Sequence, residues 1–361
     1  MLLTCLATTL FWGYSLASNA YQQPIGIVKP HTSGIGKPKD NFGIGFDFSS
    51  TFVTVAISYP NGTNLGLVKK ATNNEYRQIF HHLASSSSQH TSPPYNDIGE
   101  GFRDQPRQMW RGFLKRLGQP SSNEARILGE MLKEIIPEVE DRLGYPITHA
   151  AASFPQLIAL YSEDIWDAFE WAGLIYQQII WMSRPIPDFS AAYAGFGFQL
   201  CKDYKNPVAC QKEQDEIDNR ADRESTVNVL LNDDALMLAW PVMYSPYQYF
   251  TSGGNVAQDF NLGLKASKSR PDYWNLIGMR LEEFFQATEW KWEVYKPEKV
   301  FVYGEGVSLE LLDIVKKACS RKNAHPKLFV DEADTLMLAK GTAELAKRDL
   351  YLYPGKPHPK F

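Results

Sequence analysis

Residues 43–57 read GIGFDFSSTFVTVAI, and the fold turns on them. From Phe42 to Ile57 apolar and β-branched residues dominate, interrupted only by a cluster of small residues after Asp47. Such residues suit a pleated, buried surface, so the stretch predicts β-structure broken at that cluster. Pro60-Asn61-Gly62-Thr63 predicts a hairpin turn, because Asn-Gly tolerates the positive φ of a type I′ turn. Leu65, Leu67 and Val68 predict the next strand. In a secreted chain Asn61-Gly62-Thr63 is also a glycosylation sequon, with Asn61 the acceptor at an exposed tip.

Upstream, the chain opens MLLTCLATTLFWGYSLASNAYQQP, mostly apolar from Leu2 to Leu16 and with no Lys or Arg before Lys29. Ser15 and Ala17, or Ser18 and Ala20, place small residues at −3 and −1 of two possible cuts. This predicts a signal peptide over 1–20 and a secreted or endomembrane-lumen protein, with no membrane contact after cleavage; an uncleaved anchor and a wrongly chosen start codon are the alternative readings. Residues 21–41, rich in Pro and Gly, predict an extended leader.

Downstream, strands and helices alternate. Ile127, Met131, Ile135, Val139 and Leu143 recur every fourth residue, so 122–143 predicts a helix ended by Gly144 and kinked at Pro137. A strand is expected at 148–155, a helix at 162–172, a strand at 176–181 and a helix at 188–195. The Ser/Pro-rich stretch 84–107 reads as a mobile surface insertion. Beyond a polar stretch, the pattern restarts with strands at 227–231 and 235–240 and a helix over 272–293. A strand at 299–303, a helix at 309–320, a strand at 327–330 and a helix at 333–348 complete it. The order implies α/β layers with parallel pairing.

With 361 residues the chain fits one large domain or two lobes. Lys and Arg total 37 against 41 for Asp and Glu, a net charge of −4 that argues against a dedicated nucleic-acid binder. Cys201 and Cys210, flanking Pro207 in a polar stretch, are a candidate disulfide in an oxidising compartment, or two unpaired thiols. Cys319 predicts a buried thiol. His81, His82 and His90 have no metal-ligand spacing and read as surface residues. No Gly-x-Ser-x-Gly, Gly-Lys-Ser/Thr phosphate loop or His-Glu-x-x-His occurs.

The quoted stretch resembles the first phosphate loop of the actin-like ATPase superfamily, nearest to the nucleotide-binding domain of the 70-kDa heat-shock chaperones. Gly45, Asp47 and Thr51 match that motif, while Ser49 and Ser50 replace its glycine and first threonine. ILGEMLKEIIPEVEDRLGYPITHAAASFPQL, DAFEWAGL at 167–174 and SAAYAGFG at 190–197 resemble three further family segments in order. VFVYGEGVSLELLDIV at 300–315 resembles the adenosine loop, and DEADTLMLAKGTAELA at 331–346 the final helix. A fungal group with a signal-like start and a paired-cysteine insert looks nearest. The resemblance covers about residues 42–348. It implies a two-lobed, ribonuclease H-like α/β fold with a central cleft, and ATP or ADP with Mg²⁺ as the ligand. Asp47 would position the metal, and Asp47, Ser49, Ser50, Thr51, Gly304, Glu305 and Gly306 would hold the nucleotide. The lobes would span 42–198 and 226–348, with a connector carrying the Cys pair at 199–225 and a tail at 349–361.

The departures are as informative. The second phosphate loop should be glycine-rich, but here Asn232, Asp233 and Asp234 occupy the turn and no glycine lies between Val227 and Trp240. Arg184-Pro185-Ile186-Pro187 stands where the family's catalytic glutamate is expected, and neither Lys69 nor Lys70 is anchored by a motif as the catalytic lysine. The resemblance also stops before a peptide-binding domain. Three functions therefore stay open: a pseudo-ATPase that binds nucleotide weakly or not at all, an active Mg-dependent ATPase, and a nucleotide-independent binding or scaffold protein with an unknown protein partner. For the last, Trp290, Trp292 and the run 244–250 are candidate contact aromatics, with core packing as the alternative.

Overall fold

The computed structural model describes residues 42–179, 182, 185–219, 223–251, 255–287, 296–320, 324–331 and 336–352. The expected signal peptide, the leader, Trp290, Trp292 and Arg184 lie outside the described residues.

The decisive stretch forms two strands, β1 (Gly43–Phe48) and β2 (Phe52–Ser58), joined by the turn Ser49-Ser50-Thr51. They pair antiparallel, and β2 pairs antiparallel with β3 (Asn64–Ala71). The turn between β2 and β3 differs in type from the expectation. Gly62 has φ +89°, whereas Asn61 is not among the positive-φ residues. The amide of Gly62 donates to the carbonyl of Tyr59, and that of Tyr59 to Thr63. Pro60 fixes an ordinary φ at the first central position, so only the glycine enters the left-handed region.

On the other side of β1 lies β4 (His149–Phe154), parallel to it, and beyond that the short β5 (Ile175–Tyr176) and β6 (Ile186–Pro187), both parallel to β4. Counting β5 and β6 as one edge, the strand order is third, second, first, fourth, fifth. The second sheet repeats it. Its first strand is β7 (Glu224–Leu231), paired antiparallel with β8 (Leu236–Ala239) and β9 (Val242–Met243). These pair in turn with β11 (Val256–Asp259) and β10 (Tyr249–Phe250). On the far side β12 (Lys299–Tyr303) and β13 (Lys327–Val330) run parallel. Two sheet-containing lobes of one strand order make the mixed α/β architecture consistent with the expected actin-like fold.

Helices α1 (Asn74–Ala84), α3 (Asn123–Leu143) and α4 (Ser162–Ala172) share a core with one face of the first sheet, including Phe46, Phe48, Val53 and Val55. Helix α3 runs through Pro137 and ends at Gly144, which is left-handed. Between α1 and α3 lies a helix absent from the sequence expectation, α2 (Ile98–Arg116), inside and beyond the supposed mobile insertion.

Helix α5 (Asp188–Gly195) and the last helix, α9 (Met337–Leu352), lie against the other face of the first sheet. Their apolar residues also meet Leu230, Phe301 and Tyr303 of the second sheet, so this pair of helices forms the layer between the sheets. The final helix is thus placed on the first lobe's sheet rather than with the segments of 226–348 that precede it. The approach is close: a Cβ on Gly45 would stand 2.2 Å from the amide nitrogen of Ala343 and 2.5 Å from the carbonyl of Ala339. The opposite face of the second sheet packs on α7 (Tyr273–Ala287) and α8 (Leu309–Ser320). In the expected connector, α6 (Pro207–Asp218) follows Cys201, which is bonded to Cys210. Arg348 of α9 donates to the Cys201 carbonyl, tying this segment to the central layer.

Candidate functional site

The duplicated topology brings the two first-hairpin turns together. Ser49, Ser50 and Thr51 follow β1, and Asn232, Asp233 and Asp234 follow β7. The Asn232 amide nitrogen lies 3.2 Å from the Ser50 hydroxyl and donates to it. Arg77 of α1 lies 3.5 Å from the Asp234 carboxylate, which also pairs with Lys265 at 2.9 Å.

Much of the backbone of each turn is paired. In the first, Ser49 N–H donates to the Phe52 carbonyl, and Phe52 N–H donates back to the Ser49 hydroxyl. The carbonyls of Ser50 and Thr51 accept from the hydroxyl and amide of Thr72. In the second, the Asn232 side-chain oxygen accepts from the amides of Asp234 and Ala235, at 2.9 and 2.8 Å. That is an Asx-type cap, the reason asparagine suits such a turn. Leu264 and Lys265 cover the carbonyls of Asn232 and Asp233.

Two further donors of the turns converge on a carboxylate. Glu305 Oε2 accepts from the Thr51 hydroxyl at 3.1 Å and from the Asp233 amide at 3.4 Å, while Lys69 Nζ stands 3.9 Å from Oε1. Glu305 follows β12 in the segment expected to line an adenosine site. It reaches across from the second lobe to residues of the first. A hydroxyl, a backbone amide and a lysine around one carboxylate make an internally supplied anion site.

Gly304 and Gly306 serve that placement. Gly304 has φ +103°, and a Cβ there would lie 2.3 Å from the Leu231 carbonyl oxygen. A Cβ on Gly306 would meet the Leu231 side chain at 2.4 Å. The backbone that approaches these glycines is that of β7, and Gly306 N–H donates to Leu231.

Asp47 lies beneath the first turn and is 1% exposed. The Ser153 hydroxyl donates to its Oδ1 at 2.9 Å. Burial raises its pKa to about 8; the Ser153 hydrogen bond works against that rise, and Asp188 and Asp331 add to it. Asp188 is itself raised to about 7, chiefly by burial. Where the lobes meet, Gln156, Asp188, Asn228, Gln258 and Tyr303 border a cavity of about 10 Å³, the scale of one water. A larger cavity of about 500 Å³ lies elsewhere, between α1, α2 and α3, bordered by His82, His90, Arg107, Trp110 and Arg126. His81 instead packs its ring against Phe260, 4.0 Å between centroids.

The structure therefore brings Ser50, Thr51, Asn232, Asp233 and Glu305 into direct contact, and leaves Asp47 one layer below. Sequence reasoning missed the cross-lobe partner Arg77 and the supports Thr72 and Lys265, each within its own lobe, which carry no motif. Asn61 is exposed at its hairpin tip. Cys319 is buried and unbonded, and burial pushes its thiol up to about 12.

No family model matches this chain, and no curated protein matches it. Among solved structures, ethanolamine utilization protein EutJ from Carboxydothermus hydrogenoformans is similar at 10% identity and a TM-score of 0.42, covering 89% of this chain and 94% of that one. A likeness of that extent carries no inference about ligand, activity or partner.

Proposed function

We propose that this chain is a degenerate nucleotide-binding domain of the actin-like type, akin to that of the 70-kDa heat-shock chaperones, and that it does not hydrolyse ATP. The repeated strand order supports the fold assignment. The observation that carries the functional reading is Glu305, whose carboxylate occupies the meeting point of Thr51, Asp233 and Lys69. A phosphate entering there would meet the negative charge of Glu305 and would have to displace it.

The residues present do not fit magnesium nucleotide in this arrangement. The acidic turn lacks the glycines that let amides face a phosphate, and its amides are already used by Asn232 and Glu305. Asp47 is buried and bonded to Ser153. Phosphoryl transfer depends on positioning and electrostatic stabilisation, and both turns are committed to each other instead. The interlobe region then acts as a structural joint, and function passes to the surface. A secreted or endomembrane-lumen location belongs to the same reading, supported by the bonded Cys201–Cys210 pair.

The test is phosphate release from Mg-ATP by the purified chain and by Asp47→Asn. The reading expects release at the level of a protein-free control for both. Magnesium-dependent turnover in the wild type that Asp47→Asn abolishes would establish an active ATPase and overturn it.

A further inference from the structure

Helix α2 is built inside out. Its only buried residues are Asp104 and Arg111. The inward side is a charged seam: Arg107 pairs with Asp104 and Glu163, Arg111 with Asp164 at 2.9 Å and Asp167 at 2.7 Å, and Lys115 with Asp167. The outward side is apolar. Ile98 is 68% exposed, Phe102 53%, Met109 67%, Trp110 59%, Phe113 48% and Leu117 58%. At about 100° per residue, these six positions fall within roughly 120° of helix circumference.

A surface helix ordinarily turns such a stripe toward the core, and apolar residues gathered on one face mark an interaction site. Charge identifies the occupant. Three of the helix's five cations, Arg107, Arg111 and Lys115, are held by Asp104 and by Glu163, Asp164 and Asp167 of α4, which leaves Arg103 and Arg116 to face an anionic surface. Arg103 and Arg116 are exposed, at either border of the stripe. An aromatic and aliphatic face edged by arginines matches the interface of an anionic bilayer, where rings sit at headgroup depth and guanidinium groups meet phosphates.

We propose that α2 docks this protein peripherally on anionic lipid membranes, its Ile98–Leu117 face lying in the interface. This differs from a spanning anchor: no described helix is long and apolar enough to cross a membrane. It also revises the expectation of no membrane contact after signal-peptide cleavage. It does not depend on whether the two turns bind nucleotide.

The test is flotation with vesicles of phosphatidylcholine alone and of phosphatidylcholine mixed with phosphatidylserine, three to one, at low and high salt. The wild type is expected to float with the mixed vesicles at low salt and to stay behind with the neutral ones. Met109→Glu/Phe113→Glu, changing only exposed positions, should abolish flotation while keeping the wild-type unfolding midpoint. Arg103→Gln/Arg116→Gln should weaken it by roughly tenfold or more. Absence of wild-type flotation, flotation unchanged in Met109→Glu/Phe113→Glu, or a stable dimer that this double variant dissociates would each overturn the proposal. The last would assign the face to a second copy of the chain.

Discussion

The two sheets share one strand order, yet their first strands are used differently. In β1, Gly45 stands three residues before the end of the strand, and the backbone of α9 rests directly on it. The corresponding residue of β7 is Asn228, which keeps a buried side chain. One residue before each strand's end, the first sheet has Asp47 and the second Leu230. The turns that follow diverge too: a hydroxyl-rich turn whose carbonyls accept from Thr72 in one, an asparagine-capped acidic turn in the other. A duplicated scaffold thus tolerates different chemistry at matched positions, provided the carbonyls of each turn find donors and the two turns can meet.

The strongest way to break this comparison is to give the first strand a side chain where the second has one. Gly45→Val places carbon against backbone atoms of α9, which cannot rotate away. We expect a loss of about 3 kcal/mol or more, read as a fall of several degrees in the thermal midpoint. An unchanged midpoint would mean that α9 does not rest on β1 as described.

The second way concerns Asp47. Its native pKa of about 8 exceeds the ordinary carboxyl value of about 3.9, so the folded state holds a proton that the unfolded chain releases. Stability from this group is full below the unfolded pKa and is lost as pH rises from about 4 to about 8, by up to about 1.4 kcal/mol per pH unit. Asp47→Asn should flatten that part of the profile and exceed the wild type in stability at pH 8. Asp188, raised to about 7, acts with the same sign and should leave a residual slope below pH 7 in the variant. Urea denaturation across pH 5 to 8 measures both, and an identical slope in wild type and variant would contradict the burial of an uncharged Asp47.

Much of this architecture is legible in the sequence because its elements are short and sharply bounded. The strands at 299–303 and 327–330 and the helices at 162–172, 188–195 and 309–320 have the bounds that their apolar runs and glycine or proline borders indicate. Helix α2 was hidden by its own inversion. Its stripe has helical spacing, but it lies beside a Ser/Pro-rich run and contains Pro106, and its buried side is made of ion pairs that no hydrophobic pattern reveals. The position of α9 was equally hidden, since its order in the chain groups it with the second lobe. At the candidate site, residue types were readable but contacts were not. Glu305 lies 254 positions from Thr51 in sequence, and nothing local marks it as the group that fills the space between the turns.

The central proposal is that the two turns close on Glu305 and so do not take up magnesium nucleotide. Thermal unfolding of the wild-type chain with and without millimolar Mg-ATP or Mg-ADP tests it most directly. A ligand at about 100 times its dissociation constant adds about 2.7 kcal/mol of stability, a rise of several degrees at this size. The account predicts no shift with either nucleotide. A magnesium-dependent rise of several degrees would contradict it and restore the turns as a working phosphate site.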